Sequence, residues 1–160
     1  MFNLYTVSFF GHREIADYIH VLHKAEHLVR QLLESYTHVE FLVGRNGDFD
    51  EIATAAVRGV RQRMGEERAS LVLVLPYLTT AYEENADAFA AYYDSTEMNA
   101  PSHSHYKAAY GIRNRQMVGR SDLCVFYVDH ACGGAYQTLL YAQKCGKTIL
   151  NLADTALDSR

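Results

Sequence analysis

The chain has 160 residues, 49% of them hydrophobic and 21% charged, with a formal net charge of −4. That length predicts a single domain over residues 1–160 that buries roughly 70% of its unfolded surface, with no need of disulfides or metals to hold it. No Pro/Ser/Gly-rich stretch or like-charge block marks a disordered tail, and every apolar run falls short of the ~18 residues of a membrane span. The start Met1-Phe2-Asn3-Leu4-Tyr5 lacks the basic opening of a signal peptide, so a cytoplasmic protein with no membrane partner is expected. Cys124, Cys132 and Cys145 match neither a zinc pair nor a CxxC motif and read as reduced thiols. The mild, dispersed acidity weighs against nucleic acid and leaves a small molecule as the expected partner.

Leu4 to Phe10 is an apolar, aromatic and β-branched run closed by Gly11, the pattern of a strand buried on both faces. From Arg13 to about Ser35, Ile15, Ile19, Leu22, Leu28, Val29, Leu32 and Leu33 recur at helical spacing. Val39 to Val43 is a second strand ending at Gly44, after which Asp48 or Asp50 is placed to cap a helix carrying Ile52, Ala56, Val60 and Met64. Ser70 to Leu75 is the most hydrophobic segment and predicts a central strand, stopped by Pro76. A short helix over Ala81 to Ala90, a weak strand over Ala91 to Glu97 and a loop over Asn99 to Ser104 follow. The remaining pattern is a helix over His105 to Gly119, a strand over Asp122 to Val128, and a glycine loop over Asp129 to Gly134. A helix over Ala135 to Cys145 and a strand over Thr148 to Leu152 complete it. This alternation predicts an α/β, Rossmann-like, doubly wound and mostly parallel sheet with helices on both faces. In such folds ligands bind outside the carboxyl ends of the strands.

Three loops lie at such ends. Gly11-His12-Arg13 pairs a glycine that lets backbone approach a ligand with a guanidinium suited to phosphate or carboxylate, although a tight turn with solvated His and Arg explains the tripeptide as well. Gly44-Arg45-Asn46-Gly47-Asp48 repeats the arrangement, with an aspartate that serves as a helix cap or as an acceptor for a ribose hydroxyl. No GxGxxG follows the first strand and no acidic residue closes the second, which argues against ordinary NAD chemistry. Cys132-Gly133-Gly134-Ala135-Tyr136-Gln137-Thr138 places paired glycines before a helix whose first turn offers N–H donors to an anion, with Gln137 and Thr138 as further side-chain donors. Cys132 reads as a small filler rather than an activated thiol. Arg113 and Arg115 lie roughly 200° apart on one helix, so at most one faces a site. His103 and His105 form an HxH pair without a third ligand at recognisable spacing, so neither metal nor cofactor is expected. Tyr92 and Tyr93 read as core or interface residues, with base stacking open to one of them.

Together, GHR at Gly11, VGRNGDFDEIATAA from Val43, RNRQMVGRSDLCVFYVD from Arg113 and GGAYQTLLYAQKCGKTI from Gly133 resemble the SLOG superfamily over nearly the whole chain. That Rossmann-like group contains the lonely-guy and Smf/DprA proteins, and the similarity is greatest to its GHR-containing bacterial and phage branch of unknown function. The resemblance implies a nucleotide-derived ligand and a homo-oligomer. The lonely-guy branch releases an adenine-type base from ribose 5′-monophosphate, using a helix arginine and methionine followed by PGGxGTxxE. Arg113 and Met117 match the first two and Gly133 and Gly134 the first glycines. Tyr136 replaces the third glycine, and Leu140, or Tyr141 after a one-residue shift, stands where the catalytic glutamate belongs. The expected function is therefore ligand binding through Gly11, His12, Arg13, Gly44, Gly47, Asp48, Arg113, Gly133, Gly134, Gln137 and Thr138. A glycosidase would need a relocated carboxylate from among Asp48, Asp50, Asp94, Glu97 and Asp129.

Overall fold

A computed structural model describes residues 4–98 and 106–153. Six strands form one sheet: β1 (Leu4–Gly11), β2 (His38–Val43), β3 (Ala69–Leu75), β4 (Ser95–Met98), β5 (Leu123–Tyr127) and β6 (Thr148–Asn151). Every pairing is parallel, in the order β4-β3-β2-β1-β5-β6. The chain thus walks outward from β1 to β4, then returns to lay β5 on the other side of β1. That reversal opens a crevice between the carboxyl ends of β1 and β5.

Helices α1 (Tyr18–Ser35) and α2 (Asp48–Met64) cover one face, where Val7, Phe9, Phe41, Val43, Leu71 and Leu73 point into a core with Val29, Leu33, Ile52 and Val57. The alternate residues Phe10, Leu42, Val72, Val74, Cys124 and Phe126 pack on the opposite face with Met117 and Leu139 of α5 (Tyr106–Arg120) and α6 (Gly134–Lys144). Period-two alternation with both sides buried is why these strands read as unbroken apolar runs. No helix among the described residues is long and apolar enough to cross a membrane.

Several expectations need correction. The first long helix begins at Tyr18, not Arg13, because the intervening loop is tied to the next one: Asp48 N–H donates to Arg13 O at 2.8 Å, and Ile15 N–H donates to Asp48 Oδ2 at 2.9 Å. Ile19 is 60% exposed, and the buried stripe is Val21, Ala25, Val29, Leu32 and Leu33. β3 is not central but one strand in from the edge, its apolar character reflecting burial on both faces. The segment expected as one short helix is two, α3 (Thr80–Glu84) and α4 (Ala86–Tyr92), broken at Asn85, whose Nδ2 donates to Ala81 O. The weak strand is confined to β4. Residues 99–105, including the expected loop and the His103/His105 pair, lie outside the described residues. All three cysteines are free, but Cys132 is exposed and fills no core space.

Candidate functional site

Gly11 closes β1 opposite Tyr127 of β5. A Cβ at Gly11 would lie 2.4–2.5 Å from ring carbons of Phe49, so packing of the α2 aromatic, rather than ligand approach, demands glycine there. His12 follows, 9% exposed, its N–H donating to Tyr127 O at 3.2 Å and its Nε2 accepting the N–H of Asp129 at 3.2 Å. Burial and the neighbouring His130 pull its pKa below the ordinary value, with Asp129 acting against them. Arg13 is exposed and lines the crevice.

The loop after β2 supplies Gly44 and Gly47. Gly47, at φ +117° with Arg13 Cα 2.5 Å from its would-be Cβ, requires glycine twice over, and it is the N-cap of α2. Neither aspartate therefore caps α2 as expected. Asp48 is spent on Ile15 N–H, while Asp50 reaches back to Asn46 N–H at 2.8 Å. A Cβ on Gly44 would meet Asp50 Oδ2 at 2.7 Å and Arg113 Nη1 at 2.9 Å, so these two charged groups close on the same glycine. Asp50 is 9% and Arg113 6% exposed. Burial pushes the Asp50 carboxyl up, against the pull of Arg113 and of Asn46 N–H; burial pulls Arg113 down, offset by Asp50 and Tyr110.

Arg113 is held from α5 in a fixed pose. Its Nε and Nη2 donate to Asn114 Oδ1 at 3.0 and 2.8 Å, its Nη1 donates to Val74 O at 3.3 Å, and its guanidinium carbon lies 5.2 Å from the Tyr110 ring centroid. Among the described residues, three of the five guanidinium N–H donors have a hydrogen-bond partner, leaving two. Asn114 Nδ2 donates to Thr138 Oγ1 at 3.0 Å, and that hydroxyl donates to Gly134 O at 2.9 Å. Thr138 is thus a brace between the two helices rather than an outward donor. Gln137 is exposed at the start of α6. Gly133 sits at φ +92°, whereas the space around the would-be Cβ of Gly134 is open. Arg115 is exposed, as the helical angle between the two arginines requires.

Two adjoining cavities result. One of about 150 Å³ is lined by Gly11, His12, Arg13, Asp50, Arg113 and Gly134, among others. The other, about 670 Å³, runs over Gly44, Gly47, Asp48 and Asp50 to the aromatic wall of Phe89, Tyr92 and Tyr93. Asp50 lines both. Leu140, one of the two residues that the sequence resemblance sets against the lonely-guy glutamate, is 41% exposed and apolar. Asp94 and Glu97 are engaged with Arg61 and Arg120. The sequence reading missed Asn114, Phe89 and the role of Asp129, and carried Asp50 only as an alternative. The spacing Gly47-Asp48-Phe49-Asp50 held a usable signal, since a capping-box acceptor belongs three residues into a helix.

No protein-family model matches the chain, and no curated protein does. Solved structures do. DNA processing protein A from Helicobacter pylori, reported with a single-stranded DNA binding mode, matches over 91% of this chain and 63% of that one, at 16% identity and a TM-score of 0.62. DNA processing protein A from Streptococcus pneumoniae matches over 91% and 49%, at 14% identity and a TM-score of 0.63. The structural-genomics target TM1055 matches over 91% and 72%, at 15% identity and a TM-score of 0.59. The chain therefore spans about two thirds and half the length of those two DNA processing proteins. The parallel sheet, its strand order and these likenesses agree with the fold expected from the sequence: the chain carries the Rossmann-like parallel α/β fold that these solved structures share.

Proposed function

We propose that the protein binds a nucleotide-derived small molecule across the carboxyl ends of the sheet, its phosphate in the smaller cavity and its ribose and base in the larger cleft. The observation that carries this reading is Arg113, a nearly inaccessible guanidinium with two uncommitted donors, lining one cavity with Gly134 at the start of α6. Asp50 offsets part of that buried charge from one side, and an anion in the cavity would complete it through the uncommitted donors. The helix N-terminus adds N–H donors and a positive dipole end. The larger cleft, with aromatic rings beside carboxylates, suits a base that stacks and hydroxyls or amino groups that donate. Native mass spectrometry of freshly purified protein is expected to show a copurified nucleotide, and calorimetry to show adenosine 5′-monophosphate binding more tightly than adenosine. Equal affinity for the two sinks the reading. Mild acidity argues against nucleic acid, while likeness to a protein with a single-stranded DNA binding mode argues for it. Strongly salt-dependent binding of an oligonucleotide, with none of mononucleotides, would replace the small ligand by a strand.

A glycosidase is the second reading, and Asp50 favours it as the carboxylate that lines both cavities next to Arg113. The lonely-guy position itself offers only Leu140 or Tyr141, and loss of a catalytic acid or base typically costs about 10²- to 10⁴-fold. Little or no base release from adenosine 5′-monophosphate is expected by chromatography. Turnover of about 1 per second or faster would establish the enzyme instead. Asp50→Asn would then abolish it.

A further inference from the structure

We propose that His12, Asp129 and His130 form a binding site for a borderline divalent cation of the zinc class. The three side chains come from residues just beyond β1 and β5, which pair in register through Gly11 and Tyr127, so the sheet itself brings together groups 117 residues apart in sequence. One donor atom from each lies within 4.8 Å of the others. Asp129 Oδ1 is 3.4 Å from His12 Nε2 and 2.6 Å from His130 Nδ1. A tetrahedral ion with ligands at about 2.0–2.1 Å spaces neighbouring donors about 3.3–3.4 Å apart, so the first separation already fits.

His12 is the fixed member, buried and tied by its backbone to Tyr127. Its Nε2 accepts the Asp129 N–H, which assigns the ring proton to Nδ1, and that single Nε2 lone pair passes from the Asp129 N–H to the ion when the metal binds. His130 is the adjustable one. Its exposed ring stacks on His12 with centroids 3.8 Å apart and planes 13° from parallel, and it hydrogen-bonds Asp129. To ligate, it tilts out of the stack and carries its proton on Nε2, widening the Nδ1–Asp129 Oδ1 distance by about 0.7 Å toward the tetrahedral spacing. Two imidazoles and one carboxylate suit zinc-like ions over magnesium or calcium, which prefer all-oxygen shells. Three protein donors leave one coordination position for water or an anion beside the Arg113 cavity, which His12 also lines. The sequence expectation of no metal rested on His103 and His105; strand pairing supplies a ligand set that no spacing along the chain displays. This site stands independently of the nucleotide reading.

The test titrates the metal-free full chain with Zn²⁺ by calorimetry, and with Co²⁺ by visible absorption as a report of coordination geometry. The comparison set is His130→Ala, Asp129→Asn, and a His23→Ala/His27→Ala double variant that removes two exposed histidines one turn apart on α1. One Zn²⁺ per chain is expected. Affinity should fall by at least about tenfold in His130→Ala and in Asp129→Asn, a loss that even outer-shell changes reach. The four-coordinate Co²⁺ spectrum should vanish with it, and the helix variant should behave as wild type. Both key variants alter exposed residues, and circular dichroism checks their fold. Unchanged affinity in His130→Ala, loss of binding in the helix variant, or no binding by the wild type would overturn the proposal.

Discussion

Arg113 shows how a surface-type residue becomes an interior one. Its charge is carried by Asn114, the Val74 carbonyl and the neighbouring Asp50, and the pose passes through Thr138 to the first residue of α6. Arg113→Ala is expected to weaken phosphorylated ligands by about 1.5–3 kcal/mol, the worth of a charge-assisted hydrogen bond, and nucleosides much less. Arg115→Ala should change neither. Calorimetry on both variants, with melting curves to confirm folding, checks this; a larger effect at Arg115 would move the site to the other helix face. Helical periodicity fixes the separation of the two arginines but not the orientation of the helix, so in the sequence it was the family resemblance, not the spacing, that singled out Arg113. The juxtaposition of Asp50 with Arg113, and of His12 with Asp129, was illegible: each joins distant segments through packing that leaves no mark in local spacing.

Among the elements, the helices that begin at the carboxyl ends of strands carry the differences that matter. α2 begins at a glycine that is structurally obligatory, crowded by Arg13, whereas α6 begins at Gly134 with open space around its would-be Cβ. Gly134→Asp should therefore leave folding largely intact while bringing a negative group to a helix N-terminus proposed to receive phosphate. Loss of nucleotide binding with an unchanged circular dichroism spectrum is the expected result, and retained affinity would remove α6 from the site. The paired glycines before α6 were the strongest local feature of the sequence. Helix starts were read less well: α1 begins late because Asp48 detains the preceding loop, and α3 and α4 part at Asn85, whose own side chain satisfies Ala81 O. Both departures arise from side-chain-to-backbone bonds that compete with helix continuation.

For the whole molecule, alternating apolar runs and amphipathic stretches were enough to give the parallel sheet, since the four inner strands are largely buried on both faces and crossover handedness limits the topology. The same burial constrains behaviour at high pH. The Cys124 thiol is pushed from about 9 up to about 11 by burial, and the Tyr5 and Tyr18 hydroxyls from 10 up to about 12, again chiefly by burial. All three release protons more readily from the unfolded chain, so their contribution is intact below about pH 9 and is lost as pH rises through about 9 to 12. Urea midpoints should thus fall between about pH 8 and pH 11, and fall less in Cys124→Ala. Equal drops in both proteins would exclude the buried thiol as a contributor.

The return of the chain to β1 has a consequence in time. Pairing of β1 with β2 closes a span of 34 residues, as between Thr6 and Glu40, whereas pairing with β5 closes 116, as between Thr6 and Asp122. Long closures cost more entropy and come late in folding. The seam between β1 and β5 holds both His12 and the approach to α6, so a refolding chain is expected to pair β1 with β2 before it gains the smaller cavity that His12 and Gly134 line. Pulse-labelled hydrogen exchange should find the β1–β2 ladder protected before the His12 amide, which is bonded to Tyr127 across the seam. Recovery of ligand binding should follow the later of the two phases, and simultaneous protection would show that the whole sheet closes in one step.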